Sequence, residues 1–257
     1  MDTPRVAIVT GAASGMGRTA ALRWAGQGWH VAAVDRAVEP LKELERDHAG
    51  ITAVECDVTD ETAVRRAAEE ITVALGPVDR LVNAAGICVA GKIGELPGSE
   101  FRRVMTVNYF GTVHWVDALL PGMRARRQGE IVNFASVAGF VPTPNLSAYG
   151  SSKFAVLGYT EALAEETRTD GVRVLCVCPP GVDTPLYTDL MAGTSLGPRI
   201  QQFVKPITPD SVIEAIDRAL AGKRTYVFPG RGTTAMYRMR RFAPTLTNRI
   251  FRSIYGL

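Results

Sequence analysis

Short runs of Val, Ile, Leu and Ala recur along the whole chain, and most lack the polar–apolar alternation of a strand with one wet face. They fall at Val6–Val9, Val31–Val34, Thr52–Glu55, Arg80–Asn83, Glu130–Phe134, Arg173–Val177 and Thr225–Phe228. Runs of this kind read as strands buried on both faces. Longer amphipathic stretches lie between them, roughly Met16–Gln27, Leu41–His48, Glu61–Leu75, Ser99–Met123, Ala148–Arg168 and Pro209–Ala221, and these read as helices. Regular β-α-β alternation implies a parallel sheet with helices on both faces, an α/β fold of the doubly wound type with about seven strands. With 257 residues, the chain is long enough for one large domain of this kind. Ligands of such sheets collect outside the carboxyl ends of the strands, where the strand order reverses, so the residues just after each apolar run carry the functional information.

The first of these ends is glycine-rich. "TGAASGMG" (Thr10–Gly17) places Gly11, Gly15 and Gly17 between a strand-like and a helix-like run. Gly11 can turn the chain tightly, Gly15 can let a pyrophosphate reach the main chain, and Gly17 can let the helix pack closely. Ser14 and Met16 belong to the same cofactor-facing loop, and the free N–H groups of a helix starting near Gly15 favour phosphate. The spacing G-x-x-x-G-x-G departs from the usual dinucleotide fingerprint, so on its own the loop is equally a structural turn.

The second strand ends at Asp35, 18 residues beyond Gly17. A carboxylate there accepts hydrogen bonds from adenosine ribose hydroxyls and repels a 2′-phosphate, by up to about 4 kcal/mol at 4 Å and an effective dielectric of 20. That favours NAD over NADP, although Arg36 and Arg18 are close enough in sequence to compensate. After the third strand, Asp57 and Val58 are placed for the adenine; capping or turn chemistry would explain Asp57 equally well.

Six motifs then fall into register. "TGAASGMG", "NAAG" (Asn83–Gly86), Asn108, Ser136, "YGSSK" (Tyr149–Lys153) and "PPGVDT" (Pro179–Thr184) stand in the order and spacing of the classical short-chain dehydrogenase/reductases, which the chain resembles from residue 5 to about 230. The resemblance implies a Rossmann-type fold, a nicotinamide cofactor and a homotetramer or homodimer. Its chemistry can be followed residue by residue. Tyr149 and Lys153 lie four apart on a helix, hence on one face. A free tyrosine titrates near 10, and a neighbouring ammonium is expected to lower that value, which makes Tyr149 the general acid/base. Lys153 also has donors for the nicotinamide ribose. The resemblance implies that Ser136 holds the substrate oxygen at Tyr149, and that Asn108 holds a water linking Lys153 to solvent.

In the same family frame, Asn83, Ala84 and Gly86 line the adenosine, with Ala84 standing where the family often has a second Asn. Pro179, Gly181, Val182 and Thr184 are expected around the nicotinamide, where the Val182 backbone and the Thr184 hydroxyl bind its carboxamide. The family pattern is pro-S hydride transfer. Singly, a helical Tyr–Lys pair and a turn serine are ordinary surface features; the register of the six motifs is what gives them meaning.

The substrate is expected among loops after strands four to six: Ile87, Cys88 and Val89; Val137, Phe140, Val141 and Pro142; then Leu186, Tyr187, Leu190 and Met191, with Asn145 as an uncharged polar reader. No Arg, Lys or His stands in these stretches, so a lipophilic alcohol or ketone is favoured over a small acid. Leu186–Lys205, with its glycines and prolines, reads as a mobile lid.

Composition narrows the rest. Hydrophobic residues make up 46% and charged residues 21%, as in soluble globular proteins, and no 18-residue apolar stretch suggests a membrane span. Without a visible secretory signal, a cytoplasmic location is expected. The four cysteines are scattered and read as reduced thiols, the three histidines share no ligand spacing, and no metal is expected. Net charge is +3, yet the six arginines after Gly230 meet no Asp, Glu or Lys, so the body is mildly acidic and the tail basic. The chain therefore divides into a catalytic domain, 1–230, and a basic amphipathic extension, 231–257. Met239, Phe242, Leu246, Ile250 and Ile254 recur there at three and four, with Pro244 expected to kink the helix. Such a segment either lies on an anionic membrane surface or packs on the body or a neighbouring subunit. Nucleic-acid binding is not expected. The reading that follows is an NAD(H)-dependent alcohol dehydrogenase or ketoreductase. Its alternatives are an NADP(H)-dependent ketone reductase of the same fold and a non-catalytic dinucleotide-binding sensor or scaffold.

Overall fold

The computed structural model describes residues 4–193, 205–222 and 224–255. Seven parallel strands form one sheet: β1 (Val6–Thr10), β2 (His30–Asp35), β3 (Ile51–Glu55), β4 (Val78–Asn83), β5 (Gly129–Phe134), β6 (Val172–Val177) and β7 (Tyr226–Val227). Their order is β3-β2-β1-β4-β5-β6-β7. The chain runs outward from β1 to β3, then returns to lay β4 on the other side of β1, with Val9 beside Val82 and Thr10 beside Asn83. The order reverses there, and the crevice of a doubly wound sheet opens at that point.

The apolar runs lack polar alternation because each strand feeds two cores. Ala7, Val9, Val31 and Ala33 face one side, packed beneath α1 (Gly15–Ala25), α2 (Val38–Asp47) and, near β6 and β7, the helix Pro209–Leu220, which we number α8. Val6, Ile8, Ala32 and Val34 face the other, beneath α3 (Glu61–Leu75), α5 (Gly111–Arg126) and α6 (Ser147–Glu166). The side-chain period of two thus divides an all-apolar strand between two helical layers.

The long stretch expected as one helix over 99–123 is broken into three parts. α4 (Gly98–Met105) passes through a π-helical turn at Thr106–Phe110 into α5. The extra residue in that turn rotates the helix face, and Asn108, in the middle, is driven into the interior at 1% exposure. α5 also tolerates Pro121 and stops at Arg127, which adopts a left-handed φ of 52°. Beyond the β6 loop, α7 spans Pro185–Gly193; most of the remaining lid expected up to Lys205 lies outside the described residues. The tail forms two helices, α9 (Thr233–Phe242) and α10 (Pro244–Tyr255), separated at Ala243 where the proline interrupts the ladder.

The amino ends of the strands are tied by one carboxylate. Glu130 of β5 meets Arg80 of β4 at 2.7 Å, Arg5 ahead of β1 at 3.5 Å and Arg173 of β6 at 3.9 Å. Arg80 is almost fully buried, its guanidinium 4.6 Å from the Trp24 ring centroid and 4.1 Å from that of Trp29. Burial there lowers the Arg80 pKa, against the opposing pull of Glu130. Removing a partner from such a pair leaves an uncompensated buried charge. Glu130→Ala is expected to cost about 3–5 kcal/mol of unfolding free energy in urea titration; a loss below about 1 kcal/mol would mean that the surrounding tryptophans and water carry Arg80 without it.

Candidate active site

The cavity opens at the carboxyl ends of β1, β4, β5 and β6 and has a volume of about 620 Å³. Its first wall is the glycine loop. Gly11 turns with φ +68°, and a Cβ on it would sit 2.8 Å from the Ala85 backbone, so β1 and β4 close on each other only with glycine there. A Cβ on Gly17 would overlap the Gly11 carbonyl oxygen, which is why the helix begins so tightly behind the turn. Ser14 stands at the N-cap of α1 with extended backbone, and its side chain makes no capping hydrogen bond. The helix end therefore faces the cavity with its own amides, beside Gly15 and Met16.

Next to this loop, the Asp35 carboxylate is held from two sides. One oxygen accepts from the Ala13 amide at 3.1 Å and the other from the Ala37 amide at 3.1 Å. Arg36 shares the cavity wall and is exposed. Asp57 also lines the cavity, but one of its oxygens is engaged by the Thr59 amide and hydroxyl at 2.9 and 2.8 Å, so turn chemistry and cavity lining coexist in one side chain. Val58, Ala84 and Gly86 complete this side. These groups suit a dinucleotide: a glycine loop with no room for side chains at Gly11 and Gly17, a helix terminus whose N-cap side chain makes no capping bond, and a fixed carboxylate at the end of β2.

The second half gathers Ser136, Tyr149 and Lys153 from three segments that are consecutive in space. Ser136 follows β5, caps the short turn Val137–Gly139 by accepting the Ala138 amide at 3.1 Å, and lines the same cavity as the Tyr149 phenol, where its hydroxyl favours the phenolate. Tyr149 lies in the first turn of α6. One turn on, Lys153 passes beneath the phenol, its Nζ 5.7 Å from the ring centroid, and donates to the Phe134 carbonyl at 2.7 Å. That contact ties the lysine to the end of β5. Gly86 lies close to this group, where a Cβ would stand 3.3 Å from the Asn108 Oδ1 and within ordinary contact of Nζ.

Burial disfavours charge on both groups. The Lys153 ammonium is pushed down to about 8, chiefly by desolvation. The phenol of Tyr149 is pushed up, again chiefly by desolvation and against the pull of the Ser136 hydroxyl. The direction at Tyr149 is opposite to that expected from the Tyr–Lys pair alone, because removal from water outweighs a cation on the far side of the ring.

Pro179, Gly181, Val182 and Thr184 form the third wall. Their loop is pinned by a parallel bridge between Val182 and Ile207, in which Ile207 donates to the Gly181 carbonyl and Asp183 to the Ile207 carbonyl, each at 2.9 Å. Thr184 receives the Tyr187 amide at 3.3 Å and so starts α7. Val137, Leu186, Tyr187 and Leu190 face the cavity, together with Ile87 and Met191. The Tyr187 hydroxyl is buried and has no hydrogen-bond partner among the described residues.

Four expected site residues are placed elsewhere. The Asn83 side chain points along the sheet to Asn133 at 2.9 Å, and Asn133 in turn donates to Thr160 at 3.1 Å; this buried ladder joins β4, β5 and α6 behind the cavity. Asn108 accepts from the Ile87 amide at 2.8 Å and donates to the Ile87 carbonyl and the Ser152 hydroxyl, each at 2.9 Å. Its side chain thereby fixes the loop that follows β4. Phe140 turns into a hydrophobic cluster against Phe228 and Tyr237, because its ring is worth more buried there than at the cavity. Asn145 takes a left-handed φ of 63° and contributes its backbone, accepting the Gly91 amide at 2.8 Å. Cys88, Val89, Val141 and Pro142 are likewise absent from the described lining.

Other lining residues have no local signal in the sequence. Arg103, from α4, reaches the wall with its guanidinium paired to Glu100 at 2.6 Å. Behind the lining, Thr10, the first residue of the glycine motif, is buried and accepts the Ala84 and Ala85 amides at 3.1 Å each, joining β1 to the end of β4. Met236 of α9 and Phe251 and Tyr255 of α10 close the apolar end, where Tyr255 also bonds to Thr143. The amphipathic period of the tail was visible in the sequence; what its inner stripe covers was not.

Known proteins carry the same pattern. The family described as short chain dehydrogenase matches residues 5–194. The 2-(R)-hydroxypropyl-CoM dehydrogenase of Xanthobacter autotrophicus is 41% identical over 190 residues, covering 71% of this chain and 76% of that one. The 3-ketodihydrosphingosine reductase of Bos taurus is 34% identical over 224 residues, covering 80% and 68%. Among solved structures, a short chain dehydrogenase/reductase from Burkholderia phymatum in complex with NAD superposes with a TM-score of 0.84 at 27% identity over 96% of both chains.

Proposed function

The chain belongs to the short-chain dehydrogenase family, and on that premise we propose that it interconverts a secondary alcohol and a ketone on a lipophilic substrate, with NAD as cofactor. The family binds a nicotinamide dinucleotide, and the relatives that match are dehydrogenases and reductases. The observation that carries the finer reading is the phenol of Tyr149, underlain by a buried lysine and lining with Ser136 the cavity that begins at the glycine loop.

When bound, the nicotinamide supplies or accepts the hydride. In reduction, Tyr149 donates its proton to the carbonyl oxygen, and the Ser136 hydroxyl holds that oxygen in place. Lys153 stabilises the phenolate left behind and has donors for the ribose hydroxyls. In oxidation the phenolate takes the proton of the alcohol. Asn108 acts through the loop it holds at Ile87, as a positioning residue. The substrate body rests against Val137, Leu186, Leu190 and Met236, while the unpartnered Tyr187 hydroxyl offers one polar contact. Exposed Phe110 and Phe154, on neighbouring helical segments, support a homodimer or homotetramer. Among the described residues, no helix is long and apolar enough to cross a membrane.

NAD is favoured by the doubly held Asp35 carboxylate. Arg36 on the same wall is the observation favouring NADP. Asp35→Asn separates the two: removing the charge is expected to raise the NADP-to-NAD ratio of kcat/KM by about 100-fold. An unchanged ratio would show that Asp35 does not meet the ribose.

Tyr149→Phe is expected to lower kcat by at least about 1000-fold while dinucleotide affinity, read by fluorescence titration, changes less than about threefold. Loss of affinity without loss of residual turnover would reassign the residue.

The pH dependence follows from burial. Below pH about 8 the pair is phenol plus ammonium, which is competent for reduction. Above it Lys153 loses its proton and no longer stabilises the phenolate, so ketone reduction is expected to be level up to pH about 8 and to fall beyond. Alcohol oxidation, which needs the scarce phenolate, rises through the same range. Reduction that climbs between pH about 8 and 10 is incompatible with this assignment.

A further inference from the structure

The two tail helices have an inner and an outer face. On α10, Thr247, Phe251 and Tyr255 recur every four residues and turn inward, Thr247 fully buried and the two aromatics walling the cavity. Leu246 and Ile250 form a second stripe displaced by one residue, about 100° round the helix. They are exposed, at 51% and 38%, and Phe242 at the end of α9 is 80% exposed. Arg231, Arg238, Arg241, Arg249 and Arg252 are exposed on the same two helices and the turn before them. None of them belongs to an ion pair among the described residues, and 231–257 contains no acidic residue that could neutralise them.

Three large apolar side chains left in water beside five unpaired guanidinium groups need a partner that is apolar in depth and anionic at its surface. We propose that the outer face of α9 and α10 docks on an anionic lipid bilayer, with Phe242, Leu246 and Ile250 entering the acyl boundary and the arginines meeting the headgroups. Interfacial helices have this composition and charge. A second copy meeting this face through the same two helices would set arginines against arginines, and a polynucleotide would leave the three apolar groups against phosphate. Charge complementarity therefore selects the lipid surface. Docked in this way, α10 lies between the bilayer and the cavity that its inner stripe closes. A lipophilic substrate, if the functional reading above holds, then meets the enzyme where it is most concentrated; the docking itself does not depend on that reading.

The test contains no turnover. Full-length protein is co-sedimented with vesicles of phosphatidylcholine containing about one third phosphatidylglycerol, and with phosphatidylcholine alone. Binding to the anionic vesicles only, with release near 0.5 M salt, is expected, since screening shortens the Debye length to a few Å. Arg241→Ser combined with Arg249→Ser is expected to weaken partitioning about 30-fold, at roughly fivefold per arginine. Phe242→Ser, Leu246→Ser and Ile250→Ser together are expected to abolish it, with the thermal midpoint preserved because all three side chains are exposed. Equal partitioning onto both vesicle types, or protein remaining in the supernatant at low salt, overturns the proposal. So does a light-scattering mass that drops in the triple variant without vesicles, which would assign the face to a second copy. The wild-type salt and lipid dependence decides the matter even if a variant does not fold.

Discussion

A parallel sheet covered by helices on both faces meets water only at its two ends, and every polar group of consequence in this protein is found there. At the amino end, Glu130 gathers Arg5, Arg80 and Arg173 beneath two tryptophan rings. At the carboxyl end, Asp35, Ser136, Tyr149 and Lys153 surround one cavity. The two ends solve opposite problems. The first neutralises charge by pairing it, and so holds four strands in register. The second holds Tyr149 and Lys153 without a carboxylate partner among the described residues, so desolvation is the main influence on their protonation.

That difference explains why the Tyr–Lys pair cannot be read from spacing alone. One helical turn places the ammonium near the phenol, and Coulomb attraction by itself would draw the phenol down. In the fold, Lys153 donates to the Phe134 carbonyl and is buried, while Tyr149 is half-buried in the cavity wall, and burial works against charge on both. Each is thereby shifted toward its neutral form, although the ammonium persists below pH about 8. In the proposed reaction such a phenol gives a proton, and the cation beside it stabilises the phenolate that forms.

Much of the architecture was legible in the sequence because it rests on local rules. The apolar runs marked every strand to within two or three residues, and the glycine spacing marked the β1–α1 turn. Pro244 marked the break between α9 and α10. The misses have a common physical origin. Asn83, Asn108, Phe140 and Asn145 stand beside motif residues in the chain, yet their side chains are claimed by hydrogen bonds or packing from segments distant in sequence. The π-helical turn that buries Asn108 has no signature in a periodicity of 3.6, since it consists of a single extra residue.

What the sequence determined by itself is the sheet, its direction, the position of the phosphate-facing loop and the family, because strand burial, glycine geometry and motif register are properties of short stretches. Which side chains share the cavity was decided only by the tertiary structure. Arg103 and the tail residues Met236, Phe251 and Tyr255 come to it from segments far apart in the chain. An amphipathic helix announces that one face will be covered, but the identity of the cover depends on which other surfaces remain apolar after the sheet has closed. Here it is the open end of the cavity, and that choice leaves the arginine-bearing face of the tail turned outward.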